Sequence, residues 1–346
     1  MQNRNRRDYL TAGSLVFVYV VIISACSWAE VKNLRNMRSA EEREFLYSIV
    51  MWIMGAIALS LNCLAVYLIV RKSTIDLSGY KLYLLNFTIT DMFLGCVLSF
   101  CFQPIAIVPG GGVQVVGLLK GFGGIGGHIQ YTVVAFIFGH SVVGLNYCFI
   151  YRYASLCDVG ARRLLRQRWF RFALIGSGEL ICFSLAILIF DMRVPDQTFF
   201  GYDLSISPNA SIVVSSILLL TPASCAVNFI CAALIVQRLH KYKEQLTRRT
   251  YHLHLKLLIA LILQTTIPLF LFVLPITCIY VTTLYDLSGP LTNTLTRYIP
   301  MIALALHPII NPCITISFIE PYRRAVLPQC FSEQRIHPET TTTSYC

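Results

Sequence analysis

Four polar side chains lie inside apolar stretches of sequence, and their types suit one another. Asn62 sits midway along a first apolar run. Asp91 sits in a second, within Asn86-Phe87-Thr88-Ile89-Thr90-Asp91. Ser141 sits in a third, and Asn311 in a last one, within His307-Pro308-Ile309-Ile310-Asn311-Pro312. A carboxylate, two carboxamides and a hydroxyl can satisfy each other's hydrogen bonds, and the same oxygens suit a small hard cation such as sodium. Polar groups at bilayer depth are costly, so they normally face the interior of a bundle and mark function. Two readings stand side by side: an ion site, or a network whose work is to pack helices together. One charge stands apart from this set. Arg152, in Tyr151-Arg152-Tyr153, lies three helical turns beyond Ser141, ahead of Arg162, Arg163, Arg166 and Arg168. A guanidinium keeps its charge and is expensive to hold at the edge of hydrocarbon. It is either a working residue or a snorkelling anchor that only sets topology. His140 and Glu179, also in apolar surroundings, each read as a buried hydrogen-bonding group.

The elements that must position these groups follow from composition. The chain has 346 residues, 56% of them hydrophobic and 13% charged, with a mean hydropathy of +0.64. A soluble domain carries roughly a quarter charged residues, so the pattern is that of a multi-pass membrane protein lying in a lipid bilayer. The net charge of +11 does not imply nucleic acid, because the basic residues gather in particular loops. The thirteen cysteines are scattered, and none forms a CxxC pair or a Cys/His cluster with metal-ligand spacing.

About 20 apolar residues cross a bilayer as a helix. Seven runs meet that length: Tyr47–Val70, Tyr80–Val108, His128–Tyr151, Trp169–Phe190, Ile212–Val236, Leu255–Leu284 and Tyr298–Ile319. The fold class is therefore an all-α membrane protein, a seven-transmembrane helix bundle over residues 47–319. The loops after the first, third and fifth runs are rich in lysine and arginine, as is the tail with Arg323 and Arg324, while the intervening loops hold little beyond Lys120, Arg193 and Arg297. The positive-inside rule then puts the N-terminus outside and the C-terminus in the cytoplasm. Residues 30–46 read as an extracellular tail. Residues 1–29 contain a shorter apolar run, Ser14–Ala29, behind Arg4, Arg6 and Arg7. It fits a signal peptide, a signal anchor forming an extra span, or an exon wrongly joined.

Prolines supply candidate hinges: Pro222 in the fifth helix, Pro268 and Pro275 in the sixth, Pro308 and Pro312 in the seventh. Asn209-Ala210-Ser211 is a glycosylation pattern in a loop placed outside, although Asn86-Phe87-Thr88 fits the same pattern inside a span, where it arises by chance. Residues 320–346 begin as an interfacial helix with interleaved apolar and basic positions and end in a disordered tail. Cys330 is a palmitoylation candidate, or else an unmodified thiol.

Asn-x-x-x-x-Asp in the second helix, Tyr151-Arg152-Tyr153 at the end of the third and Asn311-Pro312 in the seventh resemble rhodopsin-like G-protein-coupled receptors. Phe149 to Tyr153 with Cys157, Gln264-Thr265-Thr266-Ile267-Pro268 followed by Pro275, and Asn311-Pro312 through Pro321-Tyr322-Arg323-Arg324 are similar to the nematode serpentine chemoreceptors of the Str superfamily, with the delta class favoured by Asn-Pro and the Pro-Tyr-Arg ending. The resemblance covers about Tyr47 to Leu327. It implies a chemosensory receptor of the plasma membrane, in a sensory neuron cilium, that responds to a small chemical and couples to a heterotrimeric G protein through Tyr151, Arg152 and Tyr153. On depth alone, the outer half of the bundle would offer Gln103, His128, Tyr131, Thr132, Phe272, Tyr280 and Tyr298 to a ligand.

This chain also departs from the pattern. Tyr151 replaces the acid that usually precedes the arginine, Thr315 replaces a tyrosine in the seventh helix, and the sixth helix has no tryptophan before its proline. The cysteines of the usual outer disulfide are missing. A transporter or channel would predict internal repeats and broken midplane helices, and no matched halves are visible. An enzyme would need paired acids, a nucleophile with its base, or a metal cluster. Asp91 has no such partner, so no catalytic residue and no cofactor other than the sodium ion is expected.

Overall fold

A computed structural model describes residues 40–73, 78–107, 112–157, 163–164, 167–191, 200–201, 208–244, 247–273 and 290–326. Residues 1–39, Pro275, Tyr280 and Cys330 lie outside these, so the expectations for the leading segment, for one hinge, for one pocket residue and for palmitoylation do so too. Among the described residues there are seven long helices. They are α1 (Ala40–Lys72), α2 (Ser78–Cys96), α3 (Gly123–Cys157), α4 (Arg168–Asp191), α5 (Pro208–Lys241), α6 (Arg248–Pro268) and α7 (Pro290–Phe318); a short α8 (Glu320–Val326) follows. Six of the long ones are long and apolar enough to cross a bilayer, and α4 carries the shorter apolar stretch Ile175–Ile187. The expected seven-helix bundle is present.

Helix α1 extends beyond its apolar run at both ends, and those ends are electrostatically apt. In α1, Glu41 and Glu42 lie in the first turn and Arg71 and Lys72 in the last, each sign facing the favourable end of the helix dipole. Contacts between helix ends fix the packing. At one end, Lys81 Nζ donates to the Val70 carbonyl (2.8 Å) and the Ser73 and Tyr322 hydroxyls pair at 2.7 Å. This gathers the end of α1, the start of α2 and α8. At the other end, Tyr47 Oη donates to the Pro104 carbonyl (2.6 Å) and stacks near Tyr298, with ring centroids 5.3 Å apart. That gathers the starts of α1 and α7 with the end of α2. Helix α7 is the most enclosed: 83% of its apolar window is buried, against 17% for α5.

The second run does not stay helical to Val108. α2 widens into a π-helical turn over Val97–Phe102 and stops at Gln103, whose φ of 43° is left-handed. Pro104 explains the stop, since it lacks an N–H and disfavours helix at the residue before it. Strand β1 (Pro104–Ile107) then pairs antiparallel with β2 (Gly112–Val115), and β2 pairs with β3 (Phe200–Gly201) through Val113–Phe200 and Gly112–Gly201. The small sheet is an addition to the all-α expectation. It joins the segment between α2 and α3 to the segment between α4 and α5.

Gly95 sets the spacing at the waist of the bundle. A Cβ there would lie 3.2 Å from Pro308 and 3.3 Å from Ala58, so α1, α2 and α7 approach closely only because it is glycine. We expect Gly95→Leu to overpack this contact at a cost of about 1–3 kcal/mol and to lower the Tm of the purified protein. Gly144→Ala meets only Asn86 and Phe87, at 3.8 and 3.9 Å, and should leave Tm unchanged or raised, because alanine favours helix. Thermal unfolding in detergent separates the two.

Candidate functional site

Two arrangements on α3 stand out, three turns apart. At the first, Ser141 Oγ donates to Asp91 Oδ1 (2.8 Å) and Asn311 Nδ2 donates to Asp91 Oδ2 (2.7 Å). All three residues are buried, with Asp91 fully so. The expected meeting of α2, α3 and α7 is thus realised through both carboxylate oxygens. Asn62 joins differently. Its Nδ2 donates to the carbonyls of Ala58 (2.8 Å) and Pro308 (2.7 Å). In a regular helix the Pro308 carbonyl would accept from the N–H of residue 312, but that residue is Pro312, which has none. The Asn62 carboxamide fills the gap and ties α1 to α7 through backbone. His307, one turn before Asn311, completes the set: its Nε2 lies 3.1 Å from Asn311 Nδ2 and its Nδ1 is 4.0 Å from Asp91 Oδ1. The carboxamide oxygens of Asn62 and Asn311 are buried with no hydrogen-bond partner among the described residues. Asp91, Ser141 and Asn311 bring together oxygens of the kind a small hard cation takes, with the His307 imidazole beside them.

At the second arrangement, Arg152 is 5% exposed near the end of α3. Its guanidinium lies over the Tyr80 ring at 3.9 Å. Tyr80 in turn faces Tyr151 at 6.2 Å with planes 28° apart, and Tyr83 lies 5.0 Å from Tyr151. Arg152 Nε and Nη2 have no hydrogen-bond partner among the described residues. A desolvated cation on an aromatic face gains roughly 2 kcal/mol. Tyr151, standing where an acid would usually pair with the arginine, builds the wall of this aromatic seat instead. The seat needs Gly79, where a Cβ would fall 1.9 Å from the Tyr151 hydroxyl. Tyr322 of α8 closes it from below. Burial raises the pKa of its phenol, opposed by the Ser73 hydrogen bond and the Arg152 charge.

The remaining predicted residues are dispersed. Pro222, Pro308 and Pro312 lie inside their helices, and Pro268 ends α6 where the chain widens into a π-helical turn, Leu269–Val273. Gln103 is spent on structure: Ser48 Oγ donates to its Oε1 (2.7 Å), and its Nε2 donates to the Ser99 carbonyl (2.7 Å), capping α2. Tyr298 packs on Tyr47. His128 is buried, Thr132 Oγ1 donates back to the His128 carbonyl (2.9 Å), and Tyr131 faces Phe102 at 6.3 Å. Phe272 falls in the π-helical turn and Asn209 in the first turn of α5. His140 and Glu179 pair with each other, and Asn86 Nδ2 lies 3.2 Å from His140 Nε2. The aromatic seat and the place of His307 escaped the sequence reading. The signals were there, in Tyr80 and Tyr83 one helical turn apart and in a histidine one turn before Asn311.

The arrangement is that of a rhodopsin fold: the structure of squid rhodopsin superposes with a TM-score of 0.59 over 84% of this chain and 86% of that one, at 16% identity. Residues 47–328 match the serpentine type 7TM GPCR chemoreceptor Srd family, and the chain belongs to it. Among Caenorhabditis elegans proteins, serpentine receptor class delta-33 is 25% identical over 309 residues (82% of this chain, 86% of that one), and class delta-18 is 26% identical over 301 residues (80% and 86%). The delta class favoured by the Asn-Pro and Pro-Tyr-Arg motifs is borne out. The protein is a multi-pass membrane receptor of a non-enzymatic family.

Replacing Asn311 by Leu leaves Asp91 Oδ2 without its donor and should cost about 1–3 kcal/mol. The double change Asp91→Leu with Asn311→Leu should cost less than the sum of the two single changes, because both partners leave together. Unfolding midpoints of the four proteins check this.

Proposed function

We propose that this protein is a chemosensory G-protein-coupled receptor of the plasma membrane, in a sensory neuron cilium, oriented with its N-terminus outside. A small chemical binds in the half of the bundle that holds the sheet. A heterotrimeric G protein is activated at the Arg152 end. The observation that carries this reading is the burial of Arg152 at the end of α3 on the Tyr80 ring, in a chain of a chemoreceptor family. A permanently charged group shut away on an aromatic face is poised for release. The lysine and arginine residues of the loops around it favour the cytoplasmic side.

The ligand acts by preferring the active arrangement, since equal affinity for both states shifts nothing. Because Gln103 and Tyr298 are committed to holding helix ends together, the contacts fall first to Tyr131 and Thr132 on α3. Pro268, with the π-helical turn after it, is the hinge that lets α6 swing. A sodium ion, held by Asp91, Ser141, Asn62 and Asn311, would neutralise the buried carboxylate and favour the resting packing.

Arg152→Ala should abolish signalling while surface expression stays intact; retained signalling overturns the reading. Tyr80→Phe keeps the aromatic face and should leave basal signalling low. Tyr80→Ala removes it and should raise basal signalling severalfold. A cyclic-nucleotide or calcium reporter normalised to surface receptor reads all three.

A further inference from the structure

Two arginines meet at the end of the bundle that holds the sheet. Arg43 lies near the start of α1, and Arg297 lies just ahead of Tyr298 in α7. Both are half-buried. The Arg43 guanidinium comes within hydrogen-bonding reach of the Tyr298 hydroxyl, and Glu44 and Arg297 are the other charges that act on that hydroxyl. Tyr298 is itself held in place: its ring packs on Tyr47, whose hydroxyl donates to the Pro104 carbonyl. Three charged side chains from two helices thus converge on one fixed point at the mouth of the bundle.

The charge there is incompletely balanced. Arg43 and Arg297 bring two positive charges and Glu44 one negative, which leaves one positive charge in excess. Glu44 is already engaged, since its Oε1 accepts from Gln114 Nε2 on β2 (3.0 Å). Glu41 and Glu42 are exposed and are not among the charges that act on the Tyr298 hydroxyl. Arg297 takes part in none of the ion pairs found among the described residues. Its Nε is shut in with no hydrogen-bond partner among them, so the edge it can offer a ligand is its pair of Nη groups.

Two like charges this close are favoured by an anion that both can reach. The N–H groups of a guanidinium match the two oxygens of a carboxylate, and arginine suits such pairing better than lysine does. An excess of one charge fits a monoanion. A doubly charged phosphate would overshoot it beside Glu44, and a cation would be repelled. We propose that Arg43 and Arg297 form a binding site for a small organic carboxylate at the mouth between α1 and α7. The inference rests on the receptor reading for its place on the outer face, and it makes the sensed chemical an organic acid.

The test is the line width of ¹³C-carboxyl-labelled butyrate and benzoate, added to the full chain in zwitterionic-lipid nanodiscs and to empty nanodiscs. The ¹³C-labelled amides, butyramide and benzamide, are neutral controls of nearly the same shape. The expected result is that at least one acid is broadened by the receptor at least fivefold more than its amide, and that this excess falls at least fivefold in Arg297→Gln. Arg297→Lys keeps the charge and should retain more of the excess than Arg297→Gln does. Arg43→Gln should also lose it, which keeps the site testable if Arg297→Gln does not fold. Equal broadening by acid and amide, broadening by neither, or an excess unchanged in both glutamine variants overturns the site. So does binding that appears only in a phosphate-free detergent, which would assign the arginines to lipid headgroups. No signalling enters the measurement, so a chain that binds the acid and signals to no chemical leaves this site standing and counts against the receptor reading alone.

Discussion

A guanidinium that cannot give up its charge lies buried at the end of α3, and that end of the bundle is shaped by the need to hold it. Water is excluded and no carboxylate precedes it in the chain, so the stabilisation comes from an aromatic face. Tyr80 provides that face, Tyr151 and Tyr83 steady it, and Gly79 makes room for the Tyr151 hydroxyl. Tyr322 brings α8 against the same spot and is fixed by Ser73 at the end of α1. Four elements therefore depend on one cation. The seat is aromatic, and opening it costs less than breaking a desolvated ion pair at one partner.

Three turns along α3, about 16 Å at 1.5 Å per residue, Ser141 binds Asp91. The helix carrying Arg152 thus also carries a hydroxyl fastened to the central carboxylate. Asn311 and His307 fasten α7 to that carboxylate, and Asn62 fastens α1 to α7 at the carbonyl that Pro312 leaves free. Rotation or sliding of α3 would disturb both arrangements together, because a helix transmits such motion as a rigid rod. Pro312 in α7 releases a backbone acceptor, the Pro308 carbonyl, that α1 uses.

Much of this was legible in the sequence because a bilayer makes polar placement expensive. Asn62, Asp91, Ser141 and Asn311 stood out against apolar neighbours, and three of them meet directly. What was not legible has physical reasons. The strands at Pro104–Ile107 and Gly112–Val115 are short and lack a clean alternation, so hydropathy alone ran α2 through Pro104; the proline was the better guide. Tyr80 and Tyr83 read as aromatics near a membrane edge, since nothing in a local pattern says that a cation from the far end of the next helix will stack on Tyr80. His140 and Glu179 each looked like a buried hydrogen-bonding group, but only the packing of α3 on α4 reveals that they pair with one another. Gln103 looked available to a ligand on depth alone, but a left-handed residue ahead of a proline needs its side chain to cap the helix.

The central claim is that an aromatic seat holds Arg152 in the resting receptor and gives it up when a G protein binds. The most direct measurement is the NMR spectrum of ¹⁵Nε,¹³Cζ-labelled arginine in the nanodisc-embedded receptor, with the Arg152 resonance assigned from Arg152→Lys. The Tyr80 ring current should shift the Arg152 Hε resonance upfield in the receptor alone, and binding of nucleotide-free G protein should move it to the position of a free arginine. A resonance at the free-arginine position in both states, or an upfield one that does not move, would contradict the account.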